Sequence, residues 1–355
     1  MPAFPPRSIL ISGFGILNSV FSILTSVFDT PPSVFPGPNP EFRIRYSVFS
    51  ILPSLRRILP SVLSILLSAF VFSLPSCSHL TPDKGPVRIV TTLGVLADWA
   101  REVGGDRVTV TNLLTGLEGE HTYEVKPEDT RLIARAGILF RVGLGLEDWL
   151  NPVIQNAGNP RLAVVEASAN VPILQDANGS EHQHPPGNPH IWLDPKYAEV
   201  GVDNLVSALV GVDPRGESLY RARARAYELR LDSLTHALTA LVAELPDRRF
   251  IAFHEAWPYF ADRFGFRIAA SIEPIPGHEP SAREIARLTD LIRAQGIRVI
   301  GSEPQLPSDI TTMLARETGV KVVTLTPLTG AIRGVDDYVS LIRYNVEALV
   351  TALKP

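Results

Sequence analysis

The chain has 355 residues, 45% of them hydrophobic and 20% charged, with a formal net charge of −4 and a single cysteine. That length holds one large or two medium domains, while one Cys excludes a disulfide framework and any cysteine-rich metal cluster. The mild acidity gives broad nucleic-acid binding no electrostatic basis.

The average charge conceals a break at Cys77. Up to that residue lie five of the 33 basic side chains (Arg7, Arg43, Arg45, Arg56, Arg57) and two of the 37 acidic ones (Asp29, Glu41), which leaves 28 basic and 35 acidic, a net −7, for the rest. Residues 1–57 form a Ser-, Phe- and Pro-dense extension that repeats Ser-Val-Phe-Ser-Ile-Leu at 19–24 and 47–52. No fold is expected of it, and a start site placed too early, with translation beginning near residue 48, would account for it. Residues 58–76 are an uncharged apolar run between Arg56-Arg57 and Cys77, the pattern of a secretory signal. A retained transmembrane helix is the alternative, clipped by Pro60 and Pro75. The end of the run, Leu74-Pro75-Ser76-Cys77, resembles the lipobox of bacterial lipoproteins, with Pro75 a departure from it, and makes Cys77 the lipidation candidate.

From Val87 strand and helix patterns alternate. VRIVTTL (87–93) is a short apolar strand, followed by a helix with Val95, Leu96, Trp99, Ala100 and Val103 at three- and four-residue spacing. A strand at 107–114, a helix at 127–136 opened by Pro127, and strands at 136–143 and 161–167 follow. Residues 215–244 read as one long helix in which Leu219, Ala222, Ala226, Leu229, Leu234, Leu238, Leu241 and Val242 recur at helical spacing, and Pro246 ends it. The rhythm resumes with strands at 249–254, 267–273, 298–303 and 321–326 and helices at 281–295, 307–317 and from Asp336. The fold class is therefore α/β, two lobes with parallel sheets joined by a long rigid helix. The expected divisions are the extension 1–57, the signal segment 58–77, a first lobe 86–213, the linking helix 214–245 and a second lobe 246–355.

Five of the eight histidines and one glutamate fall in loops or at strand C-termini, where α/β proteins hold ligands. His121 lies in GLEGEHTYEVKPED, His190 in NPHIWLDP, His254 ends the strand RFIAFH, and Glu303 ends RVIGSE; His182 and His184 share a polar loop. Imidazoles with a carboxylate or water are a common zinc shell. At this level a metal site and a set of separate, hydrogen-bonded histidines both remain open. His79, His236 and His278 read as structural. His254-Glu255 lacks the second His of a zinc-protease helix, and no phosphate loop, GxSxG elbow or assembled acid/base pair is present, so an enzyme is not expected.

NPHIWLDP, FIAFHEAWPYFADRFG (250–265), VGLGLEDWL (142–150), SEPQLP (302–307) and the closing Tyr338…Tyr344-Asn345 helix carry a resemblance. From about Val87 to Leu353 the chain resembles the metal-binding solute-binding proteins of bacterial ABC transporters, the cluster of zinc-binding ZnuA-like and manganese-binding adhesin-like lipoproteins. The resemblance implies one divalent metal held in an interlobe cleft and handed to a membrane permease. His121, His190 and His254 match the family's first three ligands. The usual fourth ligand, an Asp, is replaced here by Thr326 in Leu325-Thr326-Pro327-Leu328. Glu303 is then the first candidate for the fourth position, Glu120 the second and Glu273 the third, with water as the other possibility. The nitrogen-rich set favours Zn2+ over Mn2+. The implied protein is an extracytoplasmic monomer anchored through Cys77 or an N-terminal membrane segment. The alternatives are a zinc hydrolase using an open coordination position and a metal-containing surface adhesin.

Overall fold

The computed structural model describes residues 85–174, 187–273, 279–307 and 309–355. The leader with Cys77 and His79, the loop of His182 and His184, and His278 lie outside the described residues. The first lobe runs β1 (Val87–Thr91), α1 (Gly94–Gly104), β2 (Val108–Asn112), α2 (Pro127–Ala134), β3 (Ile138–Arg141), α3 (Leu150–Ala157) and β4 (Ala163–Glu166). Its sheet is parallel in the order β2-β1-β3-β4, with Val90 opposite Thr111 on one side and Leu139 on the other. After α4 (Pro195–Val212) and α5 (Glu217–Ala243) the second lobe repeats the plan. Its elements are β5 (Arg249–His254), α6 (Pro258–Phe264), β6 (Arg267–Glu273), α7 (Ala282–Gln295), β7 (Val299–Ser302), α8 (Asp309–Thr318), β8 (Lys321–Thr324) and α9 (Tyr338–Leu353), and its sheet order is β6-β5-β7-β8. Central strands such as β3 and β5 are apolar and buried on both faces, as helices covering a parallel sheet require.

The expected α/β alternation is present, but α3, α4 and α6 are absent from the sequence reading. The long helix spans 27 residues, roughly 40 Å at the α-helical rise. Its buried face differs from the leucine pattern. Tyr220, Ala224, Tyr227, Leu231, Leu234, Leu238 and Val242 point inward, whereas Leu219, Leu229 and Leu241 are exposed. The reason is that two tyrosines carry the stripe. Each buries its ring and keeps its hydroxyl on a carboxylate, Tyr220 on Asp213 and Tyr227 on Asp98. Along its length α5 touches α1 and α4 of the first lobe and α6 and α9 of the second.

One apolar core continues through both lobes, and a smaller one gathers Ile251, Phe253, Ile272 and Ile300 in the second. Trp99 of α1 stands edge-on to Tyr338 of α9 at 5.3 Å between ring centroids. A close-packed seam of this kind opposes free hinging of the lobes. Backbones also meet tightly at a second seam. A Cβ on Gly116 (φ +98°) would lie 2.0 Å from the Thr329 carbonyl oxygen, and one on Gly330 (φ +89°) would lie 2.6 Å from that of Thr115. Among the described residues no helix is long and apolar enough to cross a membrane.

Asp98 sits in the first seam, accepting from the Tyr338 backbone N–H at 3.1 Å and the Tyr227 hydroxyl at 3.5 Å. Burial pushes its pKa up to about 6, the Tyr338 N–H opposes this, Asp337 and Glu102 add to it, and Arg101 opposes it weakly. A folded-state value above the unfolded one means that the native state binds the proton more tightly. The cost of ionising Asp98 is therefore absent below the unfolded value and grows as pH rises through about 6. Asp98→Asn keeps an acceptor for both donors and removes that cost. It is expected to stabilise the fold by about 2–3 kcal/mol at pH 7.5, with the gain vanishing near pH 4. Urea unfolding at the two pH values checks this; an equal effect at both would overturn it.

Candidate metal centre

The C-terminal ends of the parallel strands face one another across the lobes, and the polar loops that follow them meet there. The loop after β2 carries Glu120 and His121. It is fixed at its far end by the Asp129 carboxylate of α2, which accepts from the Lys126 N–H at 2.8 Å and the Tyr123 hydroxyl at 3.0 Å. His190 precedes a single helical turn, Ile191–Leu193, that leads into α4. His254 is the last residue of β5.

Glu120, His121, His190 and His254 each place one donor atom in a common cluster, all four atoms within 4.8 Å of one another. Nε2 of His190 lies 3.1 Å from Nε2 of His121 and 3.4 Å from Nε2 of His254. Oε1 of Glu120 lies 3.6 Å from Nε2 of both His190 and His254. A tetrahedral ion with metal–nitrogen bonds of about 2.0–2.1 Å needs donor separations of about 3.3 Å. The donors are thus spaced as one small cation would hold them. His190, His254 and Glu120 are buried, and His121 is partly exposed.

The opposite ring nitrogens are held by groups that fix the tautomers. The Asn188 side-chain oxygen, an acceptor only, lies 3.0 Å from Nδ1 of His190, so that nitrogen carries the proton and Nε2 turns a lone pair to the cluster. Asn188 is itself anchored by donating its amide to the Glu255 carbonyl at 2.7 Å. Glu303 plays the same part for His254. Its Oε2 lies 2.8 Å from Nδ1 of His254, and its Oε1 accepts from the Trp257 indole at 3.0 Å. Glu303 therefore stands on the far side of the His254 ring from the cluster, while Glu120, the second candidate, brings the carboxylate into it. Glu273 ends β6, buried and opposite His254 in the strand register, and is not one of the four.

Thr326 is spent. Its hydroxyl donates to the Leu328 carbonyl at 2.8 Å and accepts from the Leu328 N–H and from Gln305 Nε2, both at 3.2 Å. One hydrogen and two lone pairs leave no capacity for a metal.

The electrostatics follow from the crowding. Burial works to raise the Glu120 pKa, but the neighbouring imidazoles of His190, His254 and His121 outweigh it and hold the carboxyl well below its ordinary range. Burial works to lower the His254 pKa, but the carboxylates of Glu303 and Glu120 outweigh that and raise it above the ordinary imidazole value. Glu120 and Glu303 thus place a carboxylate on either side of the His254 ring.

Comparison with known proteins came to the same region. The family model described as "Zinc-uptake complex component A periplasmic" matches residues 89–352. The chain is 26% identical over 274 residues to the manganese-binding lipoprotein MntA of Halalkalibacterium halodurans, covering 75% of this chain and 88% of that one. It is 26% identical to the zinc-binding protein AdcA of Streptococcus pyogenes over 75% of this chain and 56% of the relative, so it spans about half of AdcA. Among solved structures, a crystal structure of ZnuA superposes with a TM-score of 0.68 at 26% identity, covering 76% of this chain and all of that one.

Proposed function

Because this chain belongs to the periplasmic zinc-uptake component A family, we propose that it captures zinc outside the cytoplasm and delivers it to the membrane permease of an ABC importer. The observation that carries the reading is the convergence of three Nε2 atoms and one carboxylate oxygen within 4.8 Å. Three imidazoles to one carboxylate is a borderline-soft donor set that suits zinc better than manganese, which prefers oxygen. His121, His190, His254 and Glu120 are the ligands in this reading. Glu303 and Asn188 act through the imidazoles, setting which nitrogen is free and how the ring points. Residues 86–213 and 246–355 serve as the two lobes, 214–245 as their spacer, and Cys77 as the tether of a monomer.

The work done is binding and release rather than bond-making. Burial of Glu120, His190 and His254 limits the access of water to the ion, and the fixed tautomers mean that little reorganisation accompanies its arrival. A hydrolase would need an open coordination position with a free carboxylate beside it. Glu120 fills the fourth place, and Glu303 is engaged by His254 and Trp257.

Native mass spectrometry with elemental analysis, on the full chain in detergent micelles offered zinc and manganese together, tests the reading. One zinc per chain is expected, lost in His190→Ala and in His254→Ala. Manganese taken in preference, or no stoichiometric metal, would overturn it.

A further inference from the structure

A cavity of about 80 Å³ opens directly onto the cluster, lined among others by Glu120, His121, Thr122, His254, Glu303 and Gln305. It lies between the loop after β2 and the loop after β7. The His190 wall of the site is bolted to the second lobe by several buried bonds: Asn188 to the Glu255 carbonyl, the Trp192 indole to the Pro327 carbonyl, and the Tyr338 hydroxyl to the Trp192 carbonyl. The Glu120–His121 wall is held differently. Gln305 Nε2 reaches across from the second lobe and donates to the Gly116 carbonyl at 2.7 Å, with its other hydrogen toward Thr326.

Those two acceptors fix the orientation of the amide, since a backbone carbonyl can only accept. Oε1 of Gln305 consequently points away from both, and it is buried with no hydrogen-bond partner among the described residues. A buried amide oxygen without a protein partner is free to accept from water, and Gln305 lines the cavity. The same side chain thus ties the Glu120–His121 wall to the second lobe and offers an acceptor next to the ligands.

Resting on the zinc reading above, we propose that Gln305 is the positioning residue that sets how long the metal is retained, and that the cavity beside it is the route by which the ion leaves. Parting of the Gln305–Gly116 bond frees the Glu120–His121 loop while the His190 wall stays fixed. Water entering along Oε1 then replaces protein ligands one at a time.

The test uses the full chain in detergent micelles, loaded with Zn2+ and chased with an excess of a chromophoric chelator. Gln305→Met keeps the length and removes both the donor and the acceptor. Loss of one neutral hydrogen bond predicts release about five- to tenfold faster. Gln305→Glu, which places a carboxylate against the Gly116 carbonyl, is expected to release faster still. In both variants the Co2+ absorption spectrum, which reads the ligand set, is expected to match the parent, while the melting temperature of the metal-free chain falls by a few degrees, as loss of a hydrogen bond already present without metal requires. Release within twofold of the parent in both variants, or a changed Co2+ spectrum, would overturn the proposal. A parent chain that takes no zinc would instead overturn the reading on which it rests, and the proposal with it.

Discussion

Glu120→Gln lowers zinc affinity by more than about 100-fold, whereas Glu303→Gln lowers it by about 10- to 100-fold, the range usual for a group that orients a ligand. The ranking follows from which atom each carboxylate faces. Glu120 faces the metal-side nitrogens, its buried Oε1 lying 3.6 Å from Nε2 of His190 and of His254. Its charge is held there by the imidazoles alone, against the pull of burial. Glutamine has the same shape, but it brings a neutral oxygen, or an amide N–H, to the place where a cation would sit. Glu303 has both of its oxygens engaged by His254 and Trp257, so Glu303→Gln keeps an acceptor for one ring and sets an amide N–H against the other, which disturbs the alignment of His254 but leaves the four donor atoms of the cluster in place. A second consequence separates the metals. Manganese depends on oxygen donors more than zinc does, so Glu120→Gln removes the single carboxylate in the set and widens the preference for zinc. Competition titration of both variants against a chelator of known affinity reads the two costs. If Glu303→Gln proved the more damaging, the carboxylate ligand would be Glu303 and the cluster geometry would have been misread.

The sequence made the strand order of chemistry legible before it made the partners legible. Short apolar runs such as VRIVT and RFIAFH stand out because strands buried on both faces have no polar alternation to hide in. His121, His190 and His254 could be picked out because each lies in a loop or at a strand end, where a parallel sheet collects ligands. The choice between Glu120 and Glu303 could not be made the same way. Both are loop carboxylates near a histidine in space, and what distinguishes them is whether they meet Nε2 or Nδ1 of one imidazole, a matter of tertiary rotation with no sequence spacing. Helix α4 was overlooked for a different reason. Its apolar Ala198, Val202, Leu205, Val206 and Leu209 do follow the helical period, and Asp194-Pro195 is a cap followed by a first-turn proline. The segment just before it, NPHIWLDP, carries His190 and so reads as a ligand loop rather than as a helix start. The exposed leucines of α5 misled because periodicity counts leucine as core and tyrosine as surface, while here Tyr220 and Tyr227 have carboxylates waiting at the depth of their hydroxyls.

Asp194→Ala costs about 3 kcal/mol of folding stability and weakens metal binding as well, although residue 194 is not a ligand. Its carboxylate is 1% exposed and does two things at once. It caps α4 by accepting from the Lys196 N–H at 2.8 Å, and it receives Nε and Nη2 of Arg263 at 2.6 and 2.8 Å. Loss of the cap alone accounts for about 1 kcal/mol. The remainder comes from leaving the Arg263 guanidinium without its counter-charge, at the low end of the usual cost because that side chain is 31% exposed and can reach water. The link to the metal is positional. Asp194 closes the turn that begins at His190, and Arg263 lies on α6, the helix that follows His254. One ion pair therefore sets the distance between the peptide carrying one imidazole and the element beyond another. Asp194→Asn, which keeps a cap acceptor and surrenders the charge, is expected to fall between the parent and Asp194→Ala in both measurements. Urea unfolding of the metal-free chain and zinc competition on the three proteins test this together. A stability loss below about 1 kcal/mol in Asp194→Ala would mean that the Arg263 pair contributes nothing beyond the cap. A full-sized loss with unchanged zinc affinity would mean that the His190 wall is held by Asn188, Trp192 and Tyr338 alone.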